Sequence, residues 1–249
     1  MKSLVNQTFK AFTLLLFTLS TANATLITGA DLLTNANVSL PGASTSLNGS
    51  ALQFSGGTTY STLFTLNLSN YGFGLGAEES TSGSIELVNT RITSDSDIWF
   101  GLWDGTNLET FTSWDGNRSS EYTNGSYTTG AASFVLGTGG TTLTYGATQA
   151  IGSQLNLMLS FDLMAKSMDH TISSLGFSRS STLTPAFNTS GSLYFLVGKG
   201  SDGEVVQIDS LTVNGGSIVT DPIDASAPPA VLILGAGLLL LLVRKRQTA

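Results

Sequence analysis

The sequence predicts an all-β protein, a single antiparallel β-sandwich of jelly-roll type. Apolar and polar residues alternate in short runs, which is the period of a strand with one buried face. Glycine pairs and Asp-Gly or Asn-Gly pairs separate these runs, as turns do. Because the apolar faces are one-sided, two antiparallel sheets packed on each other are favoured over a parallel sheet covered by helices.

The clearest predicted strand covers 154–165, where leucine and phenylalanine alternate with polar residues, and 64–69 shows the same alternation. About ten strands are expected in all, with further ones at 84–92, 97–103, 108–114, 131–136, 141–145, 168–177, 192–197 and 204–213. Turns are expected between them, among others at Asp104-Gly105, Asn124-Gly125 and Asp202-Gly203.

Residues 1–24 have the pattern of a signal peptide. Lys2 and Lys10 precede the apolar run 11–19, and Ala22-Asn23-Ala24 matches a cleavage site with small residues. The run is too short for a membrane-spanning helix, which needs about 20 apolar residues. Export is therefore expected, with the sandwich domain, 25–215, beginning at the new N-terminus.

The C-terminal segment 227–249 has a pattern of its own, separated from the sandwich by a spacer at 216–226. Two prolines precede an apolar run, 230–243, which ends at three basic residues. As a transmembrane helix this run rises about 21 Å, against a hydrocarbon core of about 30 Å. It is long enough to hold the chain in the membrane and short for a permanent anchor.

Together with the signal peptide, this tail resembles the PEP-CTERM sorting signals of exported bacterial proteins. The resemblance rests on Ala227, Pro228, Pro229, Arg244, Lys245 and Arg246. Ala-Pro-Pro replaces the family's Pro-Glu-Pro, so the glutamate is missing. The resemblance implies an exosortase-type membrane protease as partner and a final location at the cell surface or in the extracellular polymer. The alternative is a plain tail anchor with its basic residues in the cytoplasm.

Charge excludes several functions for the body, 25–224. It carries five basic residues against all 17 carboxylates, a net charge of −12. Without a basic stripe it repels nucleic acid, so no nucleic-acid partner is expected. The chain has no cysteine and one histidine, which excludes thiol chemistry and multi-histidine metal sites.

The closing segment 208–213 reads Ile-Asp-Ser-Leu-Thr-Val. It is similar to the last strand of concanavalin-like and laminin-G-like jelly rolls. That likeness implies a sandwich and names no ligand.

Two tryptophans in the predicted strand 97–103 suggest a binding surface. Alternation puts Trp99 and Trp103 on one face and Ile98, Phe100 and Leu102 on the other. If exposed, the two indoles form a flat platform on which sugar rings stack, and Trp114 and Tyr122, with Tyr127, extend it. The alternative is that this face is covered as well and that both tryptophans belong to the core.

Asp95 and Asp97 supply oxygen atoms that suit Ca²⁺, although neither lies in a recognised calcium loop. No other cofactor is expected.

The sequence shows no paired carboxylates for catalysis. The Glu-x-Asp-x-x-Glu strand of laminarinase-like jelly-roll hydrolases is absent, and His170 alternates with Met168 and Ile172 on a predicted core face. We therefore expect a non-catalytic surface or matrix protein that binds extracellular polysaccharide. The alternatives are a secreted polysaccharide hydrolase of jelly-roll fold and a purely structural, tail-anchored surface protein.

Overall fold

The computed structural model describes residues 24–35, 38–41, 44–56, 60–92, 97–114, 119–137, 141–144, 153–200 and 205–215. The predicted sorting segment and all but the last residue of the predicted signal peptide lie outside these ranges. Within them, no helix has the length and apolar character needed to cross a membrane.

The described residues form seventeen strands in two sheets, and every pairing between these strands is antiparallel. The prediction of an all-β protein with antiparallel sheets is thereby confirmed. The first sheet contains nine strands, namely β1 (Ala24–Thr28), β3 (Ser44–Asn48), β4 (Ala51–Ser55), β6 (Ser82–Ile92), β12 (Leu155–Asp162), β13 (Ser167–Ile172), β14 (Phe177–Thr182), β16 (Val206–Ile208) and β17 (Ser210–Asn214).

The second sheet contains eight strands, namely β2 (Val38–Ser39), β5 (Ser61–Asn67), β7 (Asp97–Trp103), β8 (Asn107–Trp114), β9 (Ser119–Ser126), β10 (Val135–Leu136), β11 (Thr141–Thr144) and β15 (Tyr194–Lys199). Along this sheet the order is β10, β9, β8, β7, β15, β5, β2, with β11 also paired to β9. Strands far apart in the chain, β15 and β7, are therefore neighbours at its centre.

The main core lies between the two sheets. Phe54 of β4 stacks on Phe64 of β5 with ring centroids 5.9 Å apart. Phe100 of β7 meets His170 of β13 at 4.7 Å, nearly edge to face. Alternate residues of β12, Leu155, Leu157, Leu159 and Phe161, enter this core, as the apolar periodicity predicted. We call the face of the second sheet that points into it the inner face.

The predicted strand 204–213 is two strands in the structure, β16 and β17, separated at Asp209. At the same point β6 carries a residue of positive φ, Asn89, and changes its partner from β17 to β16. The Asn89 side chain donates to Asp209 Oδ2 at 2.9 Å, and Asn156 Oδ1 accepts from the Asn89 backbone at 3.0 Å. The aspartate of the closing motif thus stabilises a strand break.

Two further predictions differ from the structure. The predicted strand 168–177 turns at Ser173–Leu175 and continues as the separate strand β14. Asn124-Gly125, predicted as a turn, lies inside β9, because a glycine there allows β10 to approach: a Cβ on Gly125 would meet the Val135 carbonyl oxygen. A short helix that the sequence did not predict, α1 (Gly29–Thr34), begins at a capping box made by Thr28 and Asp31.

Candidate functional site

Strand β7 carries the two tryptophans as the alternation predicted. Ile98, Phe100 and Leu102 belong to the core between the sheets. Trp99 and Trp103 lie on the opposite, outer face of the second sheet, in a separate cluster of buried apolar side chains. The assignment of the two faces is therefore confirmed.

Of the two alternatives for this face the structure supports the buried one, because Trp99 and Trp103 are only 3% and 2% exposed. Residues 127–134 fold over this face. Tyr127 packs edge-on against Trp103 with ring centroids 4.9 Å apart, and Phe134 packs against Trp99 at 6.3 Å. Two backbone hydrogen bonds fix the cover, Thr62 N to Ala132 O at 2.9 Å and Phe134 N to Tyr60 O at 3.0 Å. Both indoles belong to a packed layer, as the alternative held.

Asp97 forms a hydrogen bond with a side chain of this layer. Its Oδ2 accepts the indole N–H of Trp99 at 2.8 Å, so the polar atom of that buried side chain is satisfied. Asp95 lies outside the described residues. Among the residues that the structure does describe, no three metal-ligating side chains come together, and calcium binding stays a prediction.

Beside Trp103 the outer face opens into a cleft of about 210 Å³, which we call the aromatic cleft. Trp103, Tyr127 and Tyr194 contribute aromatic side chains to its wall; Thr65, Asn67 and Asn70 contribute hydroxyl and amide groups. Tyr194 pairs with Trp103 on one side and with Asn67 on the other, so the sheet register brings these residues together. The Tyr194 ring lies 4.7 Å from that of Trp103.

The indole N–H of Trp103 is buried and has no hydrogen-bond acceptor among the described residues. This contrasts with Trp99, four positions earlier on the same face. A buried donor without a partner costs about 1–3 kcal/mol, and such groups in native proteins call for an explanation. Trp103 lines the aromatic cleft, but its indole N–H does not reach the cleft surface in this structure.

Asn67, Asn70 and Tyr194 were not predicted as site residues. Tyr194 lies in a correctly predicted strand, but only the pairing of β15 with β7 places it against Trp103. Asn67 ends β5, where its Oδ1 accepts from Ser69 N at 3.1 Å and caps the following turn. Alternation in 64–69 could have shown that Asn67 faces away from the core.

Tyr122 does not extend the tryptophan platform, because it lies on the inner face of β9, where its ring packs on Phe111. Its hydroxyl donates to the Glu109 carboxylate, whose other oxygen accepts from Thr184 N at 3.1 Å and from the Thr184 hydroxyl. Burial, together with the hydrogen bond to Glu109 and its charge, raises the pKa of Tyr122 far above its ordinary value.

Glu109 lines a second cleft of about 530 Å³, at the edge of the sandwich between β8, β10 and residues 184–186. We call it the Glu109 cleft. The carboxylate itself is fully buried and holds three donors, so it joins β8 to the segment that follows β14. This arrangement is typical of a structural tether.

Trp114 and His170 lie away from the aromatic cleft. Trp114 ends β8 opposite Asp97, and its side chain is outside what the structure describes. His170 is fully buried among Phe100, Phe111 and Phe177, as predicted for a core residue. Burial, aided by the charge of Arg179, lowers the pKa of His170 to about 3.

No known family profile matches the chain, and no curated protein matches it. Solved structures match in fold. Alginate lyase A1-II' of polysaccharide lyase family 7 is 16% identical over 68% of this chain and 80% of its own, with a TM-score of 0.44. A glycoside hydrolase family 16 endo-glucanase from Bacteroides ovatus is 11% identical over 72% and 86%, with a TM-score of 0.43. Winged bean acidic lectin is 10% identical over 79% and 99%, with a TM-score of 0.46.

These similarities concern the sandwich architecture alone, and no residue or activity is transferred from them. They do correct one expectation. From the sequence we expected a protein that is not an enzyme, whereas a lyase and an endo-glucanase are among the solved structures that match, beside a lectin. The expectation of a non-catalytic protein is therefore wrong.

Proposed function

We propose that the protein is exported and binds saccharide through the aromatic cleft. The observation that carries this proposal is the lining of the cleft, where Trp103, Tyr127 and Tyr194 lie beside the hydroxyl and amide groups of Thr65, Asn67 and Asn70. Aromatic side chains with a few amide and hydroxyl groups are the usual lining of a site that receives a sugar ring. The likeness to solved structures is not needed for this proposal.

The test is retention by polysaccharides in affinity electrophoresis, comparing Trp103→Phe with Trp99→Phe. Both substitutions shorten a buried tryptophan on one strand face, but only Trp103 contributes to the cleft. We expect Trp103→Phe to weaken retention by about tenfold and Trp99→Phe to leave it unchanged. Equal retention for wild type and Trp103→Phe contradicts the proposal, and melting temperatures of both variants separate binding from folding.

Cleavage is measured in the same experiment as the release of reducing ends from each polysaccharide. Of the two clefts, the Glu109 cleft is the one whose lining includes a carboxylate, that of Glu109. If reducing ends are released, Glu109→Gln tests whether turnover depends on the Glu109 cleft. Unchanged turnover in a folded Glu109→Gln protein excludes that cleft as the catalytic site.

Export and sorting form the second half of the proposal. Support comes from the sequence alone: residues 1–24 have the pattern of a signal peptide, and an apolar run at 230–243 lies between two prolines and three basic residues. We propose that an exosortase-type membrane protease processes this tail and releases the sandwich to the cell surface or the extracellular polymer. Mass spectrometry of the native protein tests this, since an intact C-terminus through Ala249 on every mature molecule leaves only the plain tail anchor.

A further inference from the structure

We infer that the saccharide recognised in the aromatic cleft is uncharged; this inference rests on the function proposed above. The first support is the lining itself. Among the described residues that form the cleft, every polar side chain ends in an amide, a hydroxyl or the indole N–H, and none carries a charge. Such groups match the hydroxyl and ring oxygens of a neutral sugar.

The second support is the position of the basic residues. In the part of the chain that the structure describes they are Arg91, Lys166, Arg179 and Lys199, and none of them lines the cleft. Lys166 donates to the Phe187 carbonyl at 3.1 Å, and Lys199 is fully buried. A carboxylate or sulfate that enters the cleft would lose water without gaining a cation, which is costly.

The third support is the field of the whole body. With five basic residues against 17 carboxylates, the body, 25–224, carries a net charge of −12. This charge repels an anionic polymer before any contact forms, most strongly at low salt. A neutral polymer meets no such barrier, so its binding should be nearly independent of ionic strength.

The cleft also limits how much of a chain it receives. Its volume of about 210 Å³ lies below the roughly 300–1,000 Å³ of pockets that enclose drug-sized ligands. The site therefore suits one neutral ring at a time, with the rest of the polymer outside.

The test uses a matched pair of polymers with the same backbone, neutral hydroxyethyl cellulose and anionic carboxymethyl cellulose. Further neutral polymers are laminarin, galactomannan and starch, and further acidic ones are alginate and polygalacturonate. Affinity electrophoresis is run at about 50 and about 300 mM NaCl. We expect at least one neutral polymer to retard the wild-type protein at both salt concentrations, and no acidic polymer to do so. Trp103→Phe should bind that neutral polymer about tenfold more weakly.

Asn70→Lys provides the converse variant, because it adds a cation at an exposed position of the cleft. Ser180→Lys adds the same charge on the exposed side of β14, in the other sheet. We expect Asn70→Lys to gain retention by acidic polymers at low salt and Ser180→Lys to gain none. No gain in Asn70→Lys, or an equal gain in both variants, contradicts the inference.

The remaining outcomes separate the inference from the proposed function. Retention by acidic polymers that Trp103→Phe abolishes overturns the inference and leaves saccharide binding in place. Failure of every polymer, neutral and acidic, to retard the wild-type protein overturns both.

Discussion

Trp99 and Trp103 have similar surroundings but differ in the hydrogen bonding of their indole N–H groups. Both are buried, both lie on the outer face of β7, and both pack against aromatic rings from residues 127–134. Asp97 accepts the N–H of Trp99, whereas no described group accepts that of Trp103. Only the second side chain has a hydrogen bond left to form, and it is the one in the cleft wall.

Asp104 provides a residue-scale prediction about stability. Its carboxylate accepts from Thr106 N, Asn107 N, Asn107 Nδ2 and Asn188 N at 2.6–3.0 Å, which fixes the β7–β8 turn to the segment after β14. Burial, the largest single effect, raises the pKa of Asp104, but the hydrogen bonds together outweigh it and the pKa is lowered.

Because the folded pKa lies below the unfolded value of about 3.9, the stabilisation by Asp104 is present at neutral pH and is lost as pH falls through the folded pKa. We expect Asp104→Asn to lower the free energy of unfolding by about 1–3 kcal/mol at pH 7, measured by urea denaturation. Asp169→Asn, at a half-buried position on β13 outside these contacts, is the control. Equal effects of the two changes would show that these hydrogen bonds contribute little.

At the scale of elements, the contact between β7 and β8 depends on Gly101. A Cβ at this position would meet the backbone of Glu109 and lie 2.7 Å from the Thr110 Cα, and backbone atoms in a paired strand cannot move aside independently. We expect Gly101→Ala to separate the two strands and to lower the free energy of unfolding by more than about 3 kcal/mol.

Gly191 supplies the matched control for this element. Its Cβ would meet a single atom, the flexible Asn188 Nδ2 at 3.5 Å, so Gly191→Ala should leave thermal stability almost unchanged. A melting temperature of Gly101→Ala equal to that of Gly191→Ala would show that the β7–β8 contact is looser than the structure has it.

At the scale of the whole molecule, the buried His170 makes the stability of the folded protein depend on pH. Its pKa of about 3 in the folded protein lies below the ordinary value of about 6.5. As pH falls below about 6.5, the unfolded chain binds a proton that the folded chain does not, so stability declines by up to about 1.4 kcal/mol per pH unit.

Replacing His170 with leucine removes the imidazole that binds this proton in the unfolded chain. We expect thermal melts between about pH 6.5 and about pH 4.5 to show a falling melting temperature for the wild-type protein and a flatter profile for His170→Leu. This window lies above the range in which Asp104 titrates, so the two effects are separable. An identical pH profile for both proteins would contradict the assignment of a neutral, buried imidazole.

The sequence predicts the sandwich class, the two faces of β7 and the buried position of His170, because alternation within one strand records which side chains are apolar. It does not predict that residues 127–134 cover the outer face, since that contact depends on where a distant segment returns to the sheet. The aromatic cleft escapes prediction for the same reason. Its two central rings, Trp103 and Tyr194, lie on strands that are neighbours only in the folded sheet.

The most direct test of saccharide binding in the aromatic cleft is the indole N–H region of a nitrogen–proton correlation spectrum. The chain has three tryptophans, so three signals are expected, and Trp99→Phe and Trp103→Phe assign two of them. Titration with oligosaccharides of the neutral polymer that gives the strongest retention should shift the Trp103 signal and leave the Trp99 signal in place. A saturating titration that moves neither signal, or that moves the Trp99 signal alone, would contradict binding in this cleft.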